Sequence, residues 1–189
     1  MDKTFNLIIT GVGGQGIITL ISVIDEAAFL EGYDIKSSEL RGLSQRGGNV
    51  ITHIRFGKKV YSPLVPDGGA DLILGLELME ALRDSNFSND KTIFLVNDHS
   101  IGFAGYLSRE EVIDGLNNKA KGGLHLVKAS DECKNKLNND ILAGIYLLGY
   151  AVKHNLIPLS KESFEKALRE VIPARYLEMN INAFELVYL

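Results

Sequence analysis

The sequence predicts one α/β domain with a mostly parallel sheet, an antiparallel β excursion and a helical C-terminus. Three observations carry that reading. An apolar run, Phe5, Leu7, Ile8 and Ile9, leads into "GVGGQG" at residues 11–16 and then into apolar residues at helical spacing. Further compact apolar runs, "ADLILGLE", "KTIFLVND" and "GLHLVKAS", alternate with helical patterns. From Asp131 onward the apolar residues recur at helical spacing.

Each element follows in chain order. The first strand ends at Thr10 and is bounded by Gly11. Ile17, Leu20, Ile21, Ile24, Ala27 and Ala28 line one helical face; the stripe fades at Glu31, so the helix ends near Gly32. "YDIKSS" reads as a second strand, which makes the start of a βαβ unit. "ELRGLSQRGG", residues 39–48, reads as a loop because it is polar and holds two arginines and three glycines. "NVITHIRFG" resumes as a strand, and "KKVYSP" is placed to return beside it through a tight turn at Gly57-Lys58. Pro63 and Pro66 bracket a segment too rigid for regular pairing.

The second half is read the same way. "ADLILGLE" is a buried strand running into the helix "ELMEALRD". "KTIFLVND" and "GLHLVKAS" are strands of the same kind, separated by the helix "SREEVIDGLNNKA". There Ser108 is the N-cap and Glu111 completes a capping box. Leu137, Ile141, Ile145, Leu148 and Val152 then repeat every three or four residues, with Gly144 and Gly149 small enough to let another element approach. Ser160 opens a helix towards Val171, and Pro173 interrupts it. Leu177, Ile181, Phe184 and Tyr188 share the last helical face, which packs either on the domain's own core or on a partner.

Composition narrows the function classes. Of 189 residues, 46% are hydrophobic and 23% charged, ordinary for a soluble globular protein. The net charge of −4 argues against general nucleic-acid binding. No run approaches the roughly 18 apolar residues of a membrane span. Met1, Asp2 and Lys3 lead into a strand and not into a secretory signal, so a cytoplasmic protein is expected. Cys133 is the single cysteine, which excludes an internal disulfide framework and an iron–sulfur cluster ligated within this chain.

Gly11, Gly13 and Gly16 have the spacing of a dinucleotide-binding loop, with Gly14 as an extra glycine. Glycines permit a tight turn and close backbone approach, and the following helix N-terminus favours an anion. A strand-to-helix turn also wants glycine for steric reasons, so a purely structural turn stands beside the phosphate-contacting one. An NAD site further needs an acidic residue about 20 positions on. Counting from Gly16 lands on Lys36, with Ser37 and Ser38 after it, and Glu39 comes late. Gln15 is an amide inside the loop, able to donate and accept hydrogen bonds.

The loop at residues 39–48 is the second constellation. Arg41 and Arg46 bracket Ser44 and Gln45, and Gly47 and Gly48 let the backbone turn sharply. In an open α/β sheet, loops that follow the strands converge at the carboxyl edge. Two guanidiniums beside the Gly11 loop suit phosphate or carboxylate groups. The plain alternative is a solvated loop whose arginines pair with Glu39 or Asp67.

Other reactive side chains are weaker candidates. His53 shares a strand face with Ile51 and Arg55, facing either a site or ordinary packing. His99 follows Asp98 at a strand end without an evident nucleophile. His125 and His154 lack companion ligands at metal spacing, Cys133 is an incidental thiol, and Asp67 is a turn residue. No catalytic residue and no metal site are assigned.

"GVGGQG", "SELRGLSQRGGNVITHIRFG", "VYSPLVPDGGADLILGLE" and the terminal "NINAFELVYL" together resemble the gamma-type subunit of 2-oxoacid:ferredoxin oxidoreductases, most nearly the indolepyruvate (arylpyruvate) branch. The resemblance runs over nearly the whole chain, so residues 1–189 are expected to be a single pyruvate/ketoisovalerate oxidoreductase gamma-type domain of Rossmann-like fold. It implies an enzyme that oxidatively decarboxylates a 2-oxoacid on thiamine diphosphate with Mg, passes electrons through iron–sulfur clusters to ferredoxin, and releases an acyl-CoA. It places those cofactors in a large partner subunit and gives this chain a part in coenzyme A binding. Gly11, Gly13, Gly14, Gln15 and Gly16 carry the first family motif, and Ser44, Gln45, Arg46, Gly47 and Gly48 the second. No nucleic-acid or membrane partner is implied, and a homodimer of the isolated chain is compatible with the sequence. Two rivals remain: a stand-alone NADP- or flavin-dependent oxidoreductase using the same loop, and a non-catalytic assembly module.

Overall fold

The computed structural model describes residues 3–41, 48–101 and 107–189, with Arg41 described through its backbone. Strand β1 (Phe5–Val12) feeds through a glycine turn into helix α1 (Ile17–Leu30) and edge strand β2 (Asp34–Arg41). Strand β3 (Asn49–Gly57) follows, then β4 (Leu72–Gly75), α2 (Leu78–Arg83) and β5 (Ile93–Asn97). Helix α3 (Arg109–Lys119) leads to β6 (Leu124–Val127). The chain closes with α4 (Ala129–Leu137), α5 (Ala143–Lys153), α6 (Lys161–Val171) and α7 (Ala174–Glu185). Among the described residues the strands form one sheet in the order β2-β3-β1-β4-β5-β6.

Pairings β1–β4, β4–β5 and β5–β6 are parallel, whereas β3 runs antiparallel to both β1 and β2. The mostly parallel sheet with an antiparallel excursion is therefore present, with one change of pairing. Strand β2 does not lie beside β1; β3 inserts between them, so α1 crosses over two strand positions. The excursion is the β2–β3 pair itself.

Alternation along the strands feeds two cores. Leu7, Ile9, Leu72, Leu74 and Leu95 face α1 and the C-terminal helices. Ile8, Ile73, Phe94 and Val96 face α2 and α3. The Ser108–Glu111 capping box forms as predicted at the start of α3. Gly144 and Gly149 are close-approach sites: an added Cβ would lie 2.6 Å from Leu20 Cδ1 and 2.1 Å from the Phe184 carbonyl oxygen, respectively. The terminal apolar face packs on the domain's own core, with Phe184 fully buried and Leu177 against the same cluster.

Two local expectations are corrected. "ELR" at residues 39–41 belongs to strand β2 and not to the loop, because Glu39 to Arg41 pair in register with Thr52 to Val50. "KKVYSP" forms no strand beside β3. Pro63 and Pro66 have no N–H to contribute to a ladder, and the segment instead crosses the face of β3 on side-chain bonds. Arg55 donates to the Ser62 carbonyl at 3.0 Å, Asp34 accepts from Val60 N at 2.8 Å, and His53 Nδ1 accepts from Val65 N at 3.1 Å. His53 is buried, meets Phe87 edge-on, and has its pKa lowered by that burial. It is a packing histidine, and the site-facing reading of it fails.

Candidate functional site

Strands β1 and β4 are parallel neighbours whose connections leave on opposite faces. The chain after β1 enters α1, which packs on one core, and the chain after β4 enters α2, which packs on the other. A crevice opens where such connections diverge, at the carboxyl edge of the strands. The turn at residues 11–16 occupies that point.

Steric facts explain the glycines. A Cβ on Gly11 would come 2.6 Å from Gln15 Oε1 and 3.0 Å from Leu76 Cβ. Gly14 and Gly16 have φ of 105° and 75°, in the left-handed region that disfavours side chains. Gln15 then closes the turn. Its Oε1 accepts from Val12 N at 2.7 Å, and its Nε2 donates to the Leu76 carbonyl at 3.3 Å. The same carbonyl accepts from Asn97 Nδ2 at 3.2 Å, and Asn97 Nδ2 also reaches Ser130 Oγ at 2.8 Å. A row of amides thus ties the ends of β1, β4 and β5 to the start of α4. The Gln15 amide both donates and accepts within the loop's surroundings, as its position in the sequence leads one to expect.

The second motif meets the first. Gly13 N donates to the Gly48 carbonyl at 3.1 Å, one residue before the Val12–Asn49 pair of the β1–β3 ladder. Ser44, Gln45, Arg46 and Gly47 lie outside the described residues, as does the Arg41 side chain. Gly48 and the Arg41 backbone bring both roots of the loop to the edge that carries the glycine turn. Asp67, the alternative arginine partner, accepts from Asn86 Nδ2 at 2.9 Å.

Two cavities adjoin the turn and share Gln15, Ile141 and Gly144. One, of ≈160 Å³, is lined by Gly14, Asn97, His99 and Asp140 among others. The other, of ≈330 Å³, runs between Thr19 on α1 and Tyr176 and Met179 on α7, with no charged residue in its lining among the described residues. Helix α1 has Gly16 as its N-cap, with no side-chain cap hydrogen bond and no acidic residue in its first turn. Among the described residues no side chain caps its first N–H groups, and the positive end of the helix dipole there favours an anion.

Sequence reasoning missed Leu76, Asn97 and Ser130. An asparagine ending the apolar run "IFLVN" was the available signal. Cys133 is buried with its thiol pushed up to about 12 by burial, then by Glu132 and Asp140, which makes it inert towards electrophiles. His125 shares a hydrogen bond with the Tyr150 hydroxyl at 3.2 Å, and its ring lies tilted to that of His154 with centroids 6.1 Å apart. Among the described residues no cluster of three His, Cys, Asp or Glu side chains could hold a metal ion, and no helix is long and apolar enough to cross a membrane.

The sequence model of the family "Pyruvate ferredoxin/flavodoxin oxidoreductase" matches residues 6–189. The chain belongs to this family. It is 34% identical, over 97% of its length and 94% of the relative's, to indolepyruvate oxidoreductase subunit IorB of Thermococcus kodakarensis. It is 28% identical, over 94% and 92% of the two chains, to the pyruvate/ketoisovalerate oxidoreductases common subunit gamma of Pyrococcus furiosus. The fold also matches 2-oxoglutarate:ferredoxin oxidoreductase from Magnetococcus marinus, solved with 2-oxoglutarate, coenzyme A and succinyl-CoA bound. That match has a TM-score of 0.75 at 17% identity and covers 98% of this chain and 30% of the other, so the same fold is there one part of a longer polypeptide. As a family member, the chain is a subunit of a 2-oxoacid ferredoxin oxidoreductase.

Proposed function

We propose that this chain is the non-thiamine-binding subunit of an indolepyruvate-type oxidoreductase, and that its glycine turn and the 42–48 loop hold anionic groups of coenzyme A beside the thiamine site of a larger subunit. The observation that carries the reading is the Gly13–Gly48 hydrogen bond, which joins the two motif roots at one edge of the sheet. The uncapped α1 N-terminus supplies N–H donors there. Arg41 and Arg46 would supply the cationic donors, since the described lining of the two cavities holds Asp140 and no lysine or arginine.

The redox chemistry belongs elsewhere. One cysteine cannot ligate a cluster, so the iron–sulfur centres are assigned to the partner; thiamine diphosphate and Mg are assigned there on the family resemblance, with ferredoxin reached through the complex. Contact with that partner is supported by the exposed apolar residues lining the larger cavity: Ile141 at 63%, Tyr176 at 44% and Met179 at 37% exposure. An NAD enzyme is disfavoured because Lys36 stands where the acidic residue of an NAD site is needed; against a stand-alone NADP or flavin enzyme the support is the family match over residues 6–189.

The test is reconstitution. The larger subunit is assayed with and without this chain for ferredoxin reduction dependent on indolepyruvate and coenzyme A. Loss of acyl-CoA formation on omitting the chain is the expected result; full activity without it would refute the proposal.

A further inference from the structure

Helix α2 carries a group of acidic side chains that the candidate site does not use. Glu77 and Glu80 are 2% and 3% exposed, and Asp84 is half-buried. Burying carboxylates costs several kcal/mol each unless they are well hydrogen-bonded, so their partners show what they are for. Glu77 Oε2 caps α2 by accepting from Glu80 N at 2.8 Å, while its Oε1 accepts from Ile101 N at 3.2 Å. Glu80 Oε1 pairs with Arg83 at 2.7 Å, and its Oε2 accepts from Asn49 Nδ2. Asp84 accepts from Thr10 Oγ1 and is also hydrogen-bonded to the Asn49 side chain.

The bonds that leave the helix end at three different roots of the cleft. Thr10 lies at the end of β1, just before the glycine turn. Asn49 directly follows Gly48. Ile101 and His99 line the ≈160 Å³ cavity, and the His99 carbonyl also accepts from Leu78 N on α2 at 3.0 Å. Capping α2 needs only one carboxylate oxygen. The second oxygen of Glu77, and the reach of Glu80 to Asn49, serve the cleft and not the helix.

We infer that Glu77 and Glu80 are positioning residues: Glu77 holds the 99–101 wall of the cleft, and Glu80 holds the root of the 42–48 loop through Asn49. Neither touches the ligand. The effect on coenzyme A rests on the function proposed above; the anchoring itself does not.

The test uses the complex assembled with its larger subunit. Glu77→Gln leaves one acceptor oxygen for two N–H donors. The expected result is amide exchange at Ile101 faster by about 3- to 10-fold, the scale of one net hydrogen bond, with the β6–α4 junction unchanged. The KM for coenzyme A rises by a similar factor while kcat stays within about 2-fold. Unchanged exchange at Ile101 overturns the anchoring. Faster exchange with an unchanged coenzyme A KM keeps the anchoring and overturns the coenzyme A reading of the cleft. Asn49→Ala removes the donor shared by Glu80 and Asp84, and Glu80→Ala removes the Glu80 acceptor alone: exchange at residues 48–50 rises in both, and unchanged exchange there in Glu80→Ala overturns the role of Glu80.

Discussion

The backbone N–H of Gly13 donates to the carbonyl of Gly48 at 3.1 Å, so two glycine motifs that are far apart in the chain share a hydrogen bond at the carboxyl edge of the sheet. The geometry on either side of that bond is testable.

Gly11→Ala puts a methyl group 2.6 Å from Gln15 Oε1 and 3.0 Å from Leu76 Cβ. Gln15 then loses its place between Val12 and Leu76. A destabilisation of about 1–3 kcal/mol, typical of overpacking, is expected by chemical denaturation, together with a raised coenzyme A KM in the complex. Wild-type stability and KM would show that Gln15 does not need this space.

Gly149→Ala tests the C-terminal helices. The added Cβ would lie 2.1 Å from the Phe184 carbonyl oxygen, so α5 and α7 must separate. Loss of about 1–3 kcal/mol is expected, and Phe184→Ala should cost about 3–5 kcal/mol because it empties a fully buried site. Thermal melts of the isolated chain measure both.

His53 gives a pH signature. Burial lowers its pKa in the folded state, and its Nδ1 accepts from Val65 N. The folded protein therefore binds fewer protons than the unfolded one as pH falls below the ordinary histidine value of about 6.5. Stability should drop with falling pH in that window and level off below the lowered folded pKa. His53→Gln removes the titration, and its melting temperature should fall less between pH 7 and pH 5. An identical slope in both proteins would assign the pH dependence to other groups.

Cys133 should resist alkylation in the native chain, because burial pushes its thiol up to about 12. Iodoacetamide is expected to label it only on denaturation, at least 10-fold faster than in the folded state, as thiolate reactivity requires. Fast native labelling would contradict its buried placement.

What was legible in the sequence was mostly local. The glycine turn, the Ser108–Glu111 box and the small residues Gly144 and Gly149 all act through neighbours in the chain or through simple lack of volume. Strand order was not legible, because β3 inserts between β1 and β2 through pairing that residue types alone do not encode. The 58–66 segment misled for a related reason: its apolar residues suit a strand, but prolines remove the donors, and Arg55, Asp34 and His53 supply other partners. Glu77 and Glu80 were invisible as anchors, since acidic residues in a short helix read as a solvated face until Ile101 and Asn49 are seen beside them.

The most direct test of the proposed anion site is the coenzyme A KM of the assembled enzyme carrying Arg41→Gln and Arg46→Gln, measured alongside the 2-oxoacid KM. Loss of a charge-assisted hydrogen bond predicts a coenzyme A KM raised about 10-fold or more, with the 2-oxoacid KM and subunit assembly unchanged. An unaltered coenzyme A KM, or a complex that falls apart, would contradict it and make the 42–48 loop an assembly contact.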